Sequence, residues 1–147
     1  MNPRADRVEL LLAEDDPEDQ LLFRKAFEIA RLNPRLRIVN DGVELMDYLR
    51  RRASYAAVQR PDLLLLDLNM PRKDGREALA EIKNDPDLRR IPVVVMTTSA
   101  AEQDIRRAYE LGANSYIEKP ATFSGLVEIL QTLGRYWFDV VRTQPRE

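Results

Sequence analysis

The chain has 147 residues, 44% of them hydrophobic and 33% charged, with a formal net charge of −2. That describes a single soluble domain with a proper core and no overall attraction to nucleic acid or anionic lipid. With no cysteine and no histidine, disulfides, thiolate chemistry, a Ser-His-Asp mechanism and the usual zinc or copper ligands are excluded, so any metal should be a hard, oxygen-bound ion such as Mg2+.

The first apolar run, Val8 to Ala13, ends in Glu14-Asp15-Asp16-Pro17, after which Leu22, Ala26 and Ile29 or Ala30 recur at helical spacing. Arg35 to Val39 reads as a second strand, and the turn pair Asp41-Gly42 leads to a helix marked by Leu45, Met46 and Leu49. Arg50 to Arg60 extends that helix or forms a loop. The third strand, Leu63 to Leu68, opens with four leucines, the signature of a strand buried on both faces of a parallel sheet. Pro71 then turns the chain out. A helix with Ala78, Leu79 and Ile82 follows. Ile91 to Met96 is the fourth strand, and Ile105, Ala108 and Leu111 mark a helix that Gly112 closes at its C′ position. Ser115 to Glu118 is the fifth strand, and Thr122 to Val141 the last helix. Such alternation predicts an α/β fold, (βα)5, with a doubly wound sheet of five parallel strands. No apolar stretch approaches the roughly 20 residues of a membrane helix. The N-terminus lacks an apolar signal core, so a cytoplasmic location is expected.

Four residue sets fall just past predicted strands: Glu14-Asp15-Asp16, Asp67, Thr97-Thr98-Ser99 and Lys119-Pro120. In a parallel sheet these carboxyl ends converge on one edge, where open α/β folds place their ligands. Carboxylates crowded there repel one another unless a cation binds. Asp15 and Asp67, with backbone carbonyl and water, suit magnesium. Asp67, ionised at neutral pH, would attack phosphorus to form an acyl phosphate, with Lys119 and the Thr97 hydroxyl as further contacts. Lysine is rare here, four against nineteen arginines, so Lys119 at a strand end stands out.

This set resembles the receiver domain of bacterial two-component response regulators, the CheY-like family. Glu14 and Asp15 match its acidic pair, Asp67 its phosphoacceptor, Thr97 its hydroxyl and Lys119-Pro120 its lysine motif, over roughly Val8 to Leu133. Thirty positions separate Asp67 from Thr97 and twenty-two separate Thr97 from Lys119, both usual for the family. The resemblance implies a flavodoxin/CheY-like fold, metal ligation by Glu14, Asp15, Asp67 and the Asn69 backbone carbonyl, and a switch aromatic at Tyr116. It further implies that Asn69 and Ser99 tune dephosphorylation. A sensor histidine kinase would supply the phosphoryl group. The 52 positions between Asp15 and Asp67 exceed a minimal receiver, with Arg50 to Arg60 the insertion. Together with the aromatic tail, that length is similar to the stand-alone regulators that partner bacterial phytochrome kinases. Residues 1–147 are expected to form one receiver domain, with a core over about 8–133 and an extension over 134–147. No output domain is expected after Leu133.

Plainer readings compete at each position. Acidic residues before a helix usually cap it, and Asp16, Glu18 and Asp19 are assigned to that role. Thr97 and Thr98 could be turn residues, Tyr116 simple packing, and Arg50-Arg51-Arg52 a solvated face. The stripe Leu126, Ile129 or Leu130, Leu133, Trp137 and Val140 or Val141 could be a buried face. Tyr136-Trp137-Phe138 lies where little core remains to cover it, which favours a homodimer through the C-terminal region. The rival functions are a small Mg-dependent aspartyl phosphohydrolase, which normally needs a second Asp where Asn69 stands, and an unphosphorylated receiver-like scaffold.

Overall fold

The computed structural model describes residues 8–32, 34–140 and 142. Four consecutive leucines leave no polar face for water, and Leu63–Leu66 is accordingly the central strand β3, buried at every position. Its neighbours β1 (Glu9–Ala13) and β4 (Val93–Thr97) are buried throughout as well. The partly exposed β2 (Arg35–Val39) and β5 (Ser115–Glu118) form the edges. All pairings are parallel, in the order β2-β1-β3-β4-β5. The crossovers are α1 (Pro17–Ile29), α2 (Gly42–Leu49), α3 (Gly75–Asn84) and α4 (Glu102–Glu110), and α5 (Phe123–Gly134) follows the last strand. The doubly wound five-stranded sheet is as the sequence predicts.

The pleat sorts the strand side chains into two cores. Leu11, Leu64, Leu66, Val93 and Val95 meet α2, α3 and α4 through Leu45, Met46, Leu79, Ile82 and Ala108. Leu10, Leu12, Leu63, Leu65, Val94 and Met96 meet α1 and α5 through Phe23, Phe27 and Leu130. Gly112, at φ +108°, closes α4 in the left-handed conformation that glycine adopts freely.

The buried stripe of α1 contains Ala26 and, packed against the second core, Ala30, as expected, but Phe23 and Phe27 take the places expected of Leu22 and Ile29. Phe23, Ala26 and Phe27 face the core, whereas Leu22 and Ile29 are 41% and 56% exposed. Two phenylalanines one turn apart, with ring centroids 6.5 Å apart, bury more apolar surface than the smaller side chains could. The last helix also departs from expectation. It runs as α-helix to Gly134, then continues as a π-helix over Arg135–Val140. Phe138 is 7% exposed and Trp137 packs against the second core, so these two rings cover the domain itself. Residues 1–7, Val141 and 143–147 of the predicted domain and stripe lie outside the described residues. The segment Arg50 to Arg60 is a loop containing a 3-10 turn at Ala53–Tyr55. The Tyr55 ring sits 5.0 Å from that of Tyr48, and its hydroxyl donates to Glu44 Oε1 at 2.9 Å.

Candidate functional site

Backbone ladder bonds run past the ends of the strands and fix the residues beyond them. Glu14 N–H donates to the Val39 carbonyl (3.0 Å), Asp67 N–H to that of Ala13 (3.1 Å) and Lys119 N–H to that of Thr97 (2.7 Å). The side chains that follow β1, β3 and β5 thus leave the sheet at one edge. Their direction is set by backbone that cannot shift without breaking the ladder.

Glu14, Asp15 and Asp67 each bring a carboxylate oxygen to within 4.8 Å of the others. Glu14 and Asp67 are only 3% and 6% exposed. The Lys119 ammonium reaches into this group, donating to Glu14 Oε1 at 2.5 Å, to Asp67 Oδ2 at 3.0 Å and to Asp19 Oδ2 at 3.4 Å. Burial, helped by the neighbouring Asp67 charge and opposed by the Lys119 hydrogen bond, raises Glu14 from 4.5 to about 7. Burial alone would lower Lys119, but its bond to Glu14 and the charges of Asp67 and Glu14 hold it above the ordinary lysine value. Three carboxylates against one ammonium are electrostatically undercompensated. A donor set made only of oxygens, with that deficit, fits a hard divalent cation.

Of the remaining expected site residues, Asn69 alone among those described touches the carboxylate cluster. Asn69 is exposed, and its N–H donates to Asp67 Oδ1 at 3.2 Å. Thr97 is fully buried, and its Oγ1 has no hydrogen-bond partner among the described residues. An unsatisfied buried hydroxyl costs about 1–3 kcal/mol, so Thr97 would gain from an acceptor brought to it. Thr98 is exposed. Ser99 donates to Asp104 Oδ2 at 2.6 Å, and its carbonyl accepts from the Tyr116 hydroxyl at 2.9 Å. Tyr116 packs against the first core while its hydroxyl ties β5 to the segment after β4.

Asp16 caps α1 as expected, accepting from Glu18 N–H at 2.9 Å. Asp19 does more than the capping role expected of it, because it lies in the first turn of α1 and reaches the ammonium of Lys119. Helical side chains lean toward the N-terminus. An acidic residue in the first turn after an acidic loop therefore points at that loop, a signal present in the sequence. The contact of Asp104 with Arg76 Nη2 of α3, at 3.4 Å, joins residues 28 positions apart and has no such signal.

The profile of the response regulator receiver domain matches residues 10–131. Response regulator Rcp1 of Synechocystis sp. is 42% identical over 132 residues, covering 90% of this chain and 90% of that protein. The phosphorylated cyanobacterial phytochrome response regulator RcpA superposes with a TM-score of 0.88 at 44% identity, over 95% of this chain and 99% of that one. A response regulator in red light signalling of R. palustris superposes with a TM-score of 0.89 at 33% identity, over 94% and 99%.

Proposed function

The chain belongs to the response regulator receiver family, and from that premise we propose that Asp67 is its phosphoacceptor and a bacterial phytochrome histidine kinase its donor. The observation that carries the acceptor assignment is the contact of a buried Asp67 with both the carboxylate cluster and the Lys119 ammonium. The phytochrome partner is supported by the relatives named for that signalling.

In this reading an Asp67 carboxylate oxygen attacks the phosphorus of a kinase phosphohistidine. The O–P bond forms as the P–N bond breaks, and the electron pair leaves with the imidazole. A divalent cation, proposed as Mg2+ on Glu14, Asp15, Asp67 and the Asn69 backbone carbonyl, would neutralise charge on the phosphoryl oxygens when bound. Lys119, already ionised beside Asp67, supplies a positive contact to the phosphoryl group. Thr97 supplies a hydrogen bond that its hydroxyl lacks at present. As Thr97 follows the phosphoryl group, the segment after β4 is pulled in, and Tyr116, whose hydroxyl is bonded to the Ser99 carbonyl in that segment, is the inward-turning switch residue that follows it. Asn69, whose N–H meets Asp67 Oδ1, and Ser99 tune the lifetime of the acyl phosphate.

The proposed module works in the cytoplasm without contacting nucleic acid; among the described residues no helix is long and apolar enough to cross a membrane. The segment after Leu133 serves as an extension of the receiver. Tyr136 and Val140, 53% and 70% exposed, form the proposed homodimer contact in place of the whole aromatic triplet.

Incubation with a small acyl phosphate and magnesium tests the acceptor. Wild type should gain one phosphoryl group per chain and Asp67→Asn none; equal uptake by the variant would place the chemistry elsewhere.

A further inference from the structure

Ser99 is held at both ends, its hydroxyl by Asp104 and its carbonyl by Tyr116. The same hydroxyl accepts from Ala101 N–H at 3.3 Å, at the start of α4, where the N-cap residue provides no side-chain cap. Asp104 uses its other oxygen on Arg76 Nη2. Arg76 is braced in turn by Asp74, the N-cap of α3, at 3.3 Å. One polar chain from Asp74 through Arg76, Asp104 and Ser99 to Tyr116 thus ties the start of α3 to the segment after β4.

None of Asp74, Arg76 and Asp104 belongs to the carboxylate cluster or to either apolar core. Ser99 lies two residues beyond Thr97, so backbone movement that carries Thr97 toward Asp67 must strain the Ser99–Asp104 bond. A hydroxyl bound to an ionised carboxylate is among the stronger hydrogen bonds, and Arg76 keeps that carboxylate aimed at Ser99.

We propose that Arg76 and Asp104 are positioning residues, a latch that holds residues 98–101 in the arrangement seen here and sets how readily Thr97 leaves it. This rests on the reading of Asp67 as phosphoacceptor.

Two readouts on the full chain test it: hydrogen exchange of the 98–101 amides without phosphodonor, and the rate of phosphoryl uptake from acetyl phosphate with magnesium. Asp104→Asn should raise both by about three- to tenfold, as expected for weakening a charge-assisted bond at a partly exposed site. Arg76→Gln should act in the same direction but less, and the double variant should match Asp104→Asn alone, because the two residues act through one bond. Arg107→Gln, which breaks an exposed pair with Glu110 on the same helix, should change neither readout. Wild-type exchange in Asp104→Asn, or additive effects of the two substitutions, would overturn the latch. If wild type takes up no phosphoryl group, the acceptor reading fails, and the exchange measurements alone then decide the latch.

Discussion

Asp67 is pressed from behind by the first residue of α3. A Cβ built on Gly75 would lie 2.4 Å from the Asp67 carbonyl oxygen and 2.6 Å from the Leu68 Cα, and Gly75 N–H donates to the Leu68 carbonyl at 2.8 Å. The loop after β3 closes only because that side chain is missing. Gly75→Ala should therefore cost about 1–3 kcal/mol of stability, the usual cost of overpacking, and should also slow phosphoryl uptake by displacing Asp67. Urea unfolding together with uptake kinetics reads both effects; a variant matching wild type in each would show that the loop has room to spare. The sequence displayed this site through the residue types at strand ends, Glu14, Asp15, Asp67, Thr97 and Lys119. It hid Gly75, because a glycine required by backbone at the far side of a loop looks like any other turn glycine.

The elements most legible in the sequence were those whose burial is one-sided or total. β3 is legible because its leucine run is too short for a buried helix and is bounded by Pro61 and Pro71. α2 and α3 were readable because Leu45, Met46 and Leu49, and Ala78, Leu79 and Ile82, leave only one apolar face. α1 is legible only in part: Ala26 and Ala30 face the core as their spacing predicts, but Leu21, Leu22, Phe23, Phe27 and Ile29 offer competing stripes, and only tertiary packing selects the phenylalanines. The loop between α2 and β3 was ambiguous for another reason. Its anchor is the Tyr55 hydroxyl on Glu44, a contact between side chains that no local periodicity reports. That contact has a pH signature. Burial, then the hydrogen bond to Glu44 and its charge, push Tyr55 up to about 12 from an ordinary value of 10.0. Between those values the folded state holds a proton that the unfolded state has released. The contribution is therefore complete below pH 10.0 and lost as pH rises toward 12. Tyr55→Phe should show a shallower loss of stability across that window, and denaturant midpoints with the same slope as wild type would contradict the anchor.

At the scale of the whole molecule, the tail decides how much surface is left for a partner. The sequence presents Tyr136-Trp137-Phe138 as one aromatic patch, but the π-helix divides it, with Phe138 inward and Tyr136 outward, the latter ring 5.4 Å from that of Trp137. Sequence periodicity assumes 3.6 residues per turn and could not anticipate a wider one. Tyr136→Ala should thus lower the sedimentation mass from dimer toward monomer at micromolar concentration, with a stability loss no larger than the about 0.5–1.5 kcal/mol of its edge-on pair with Trp137. Trp137→Ala would confuse the two effects, because Trp137 packs on the second core. Equal masses for wild type and Tyr136→Ala would remove the proposed contact.

The proposed function depends on a transient acyl phosphate at one carboxylate. Borohydride reduces an aspartyl phosphate, and not a free aspartate, to homoserine, so reduction of the phosphorylated chain followed by peptide mass mapping locates the acceptor directly. Homoserine at position 67, and only after exposure to phosphodonor and magnesium, is the predicted result; homoserine at Asp15 or another carboxylate, with Asp67 unchanged, would contradict it.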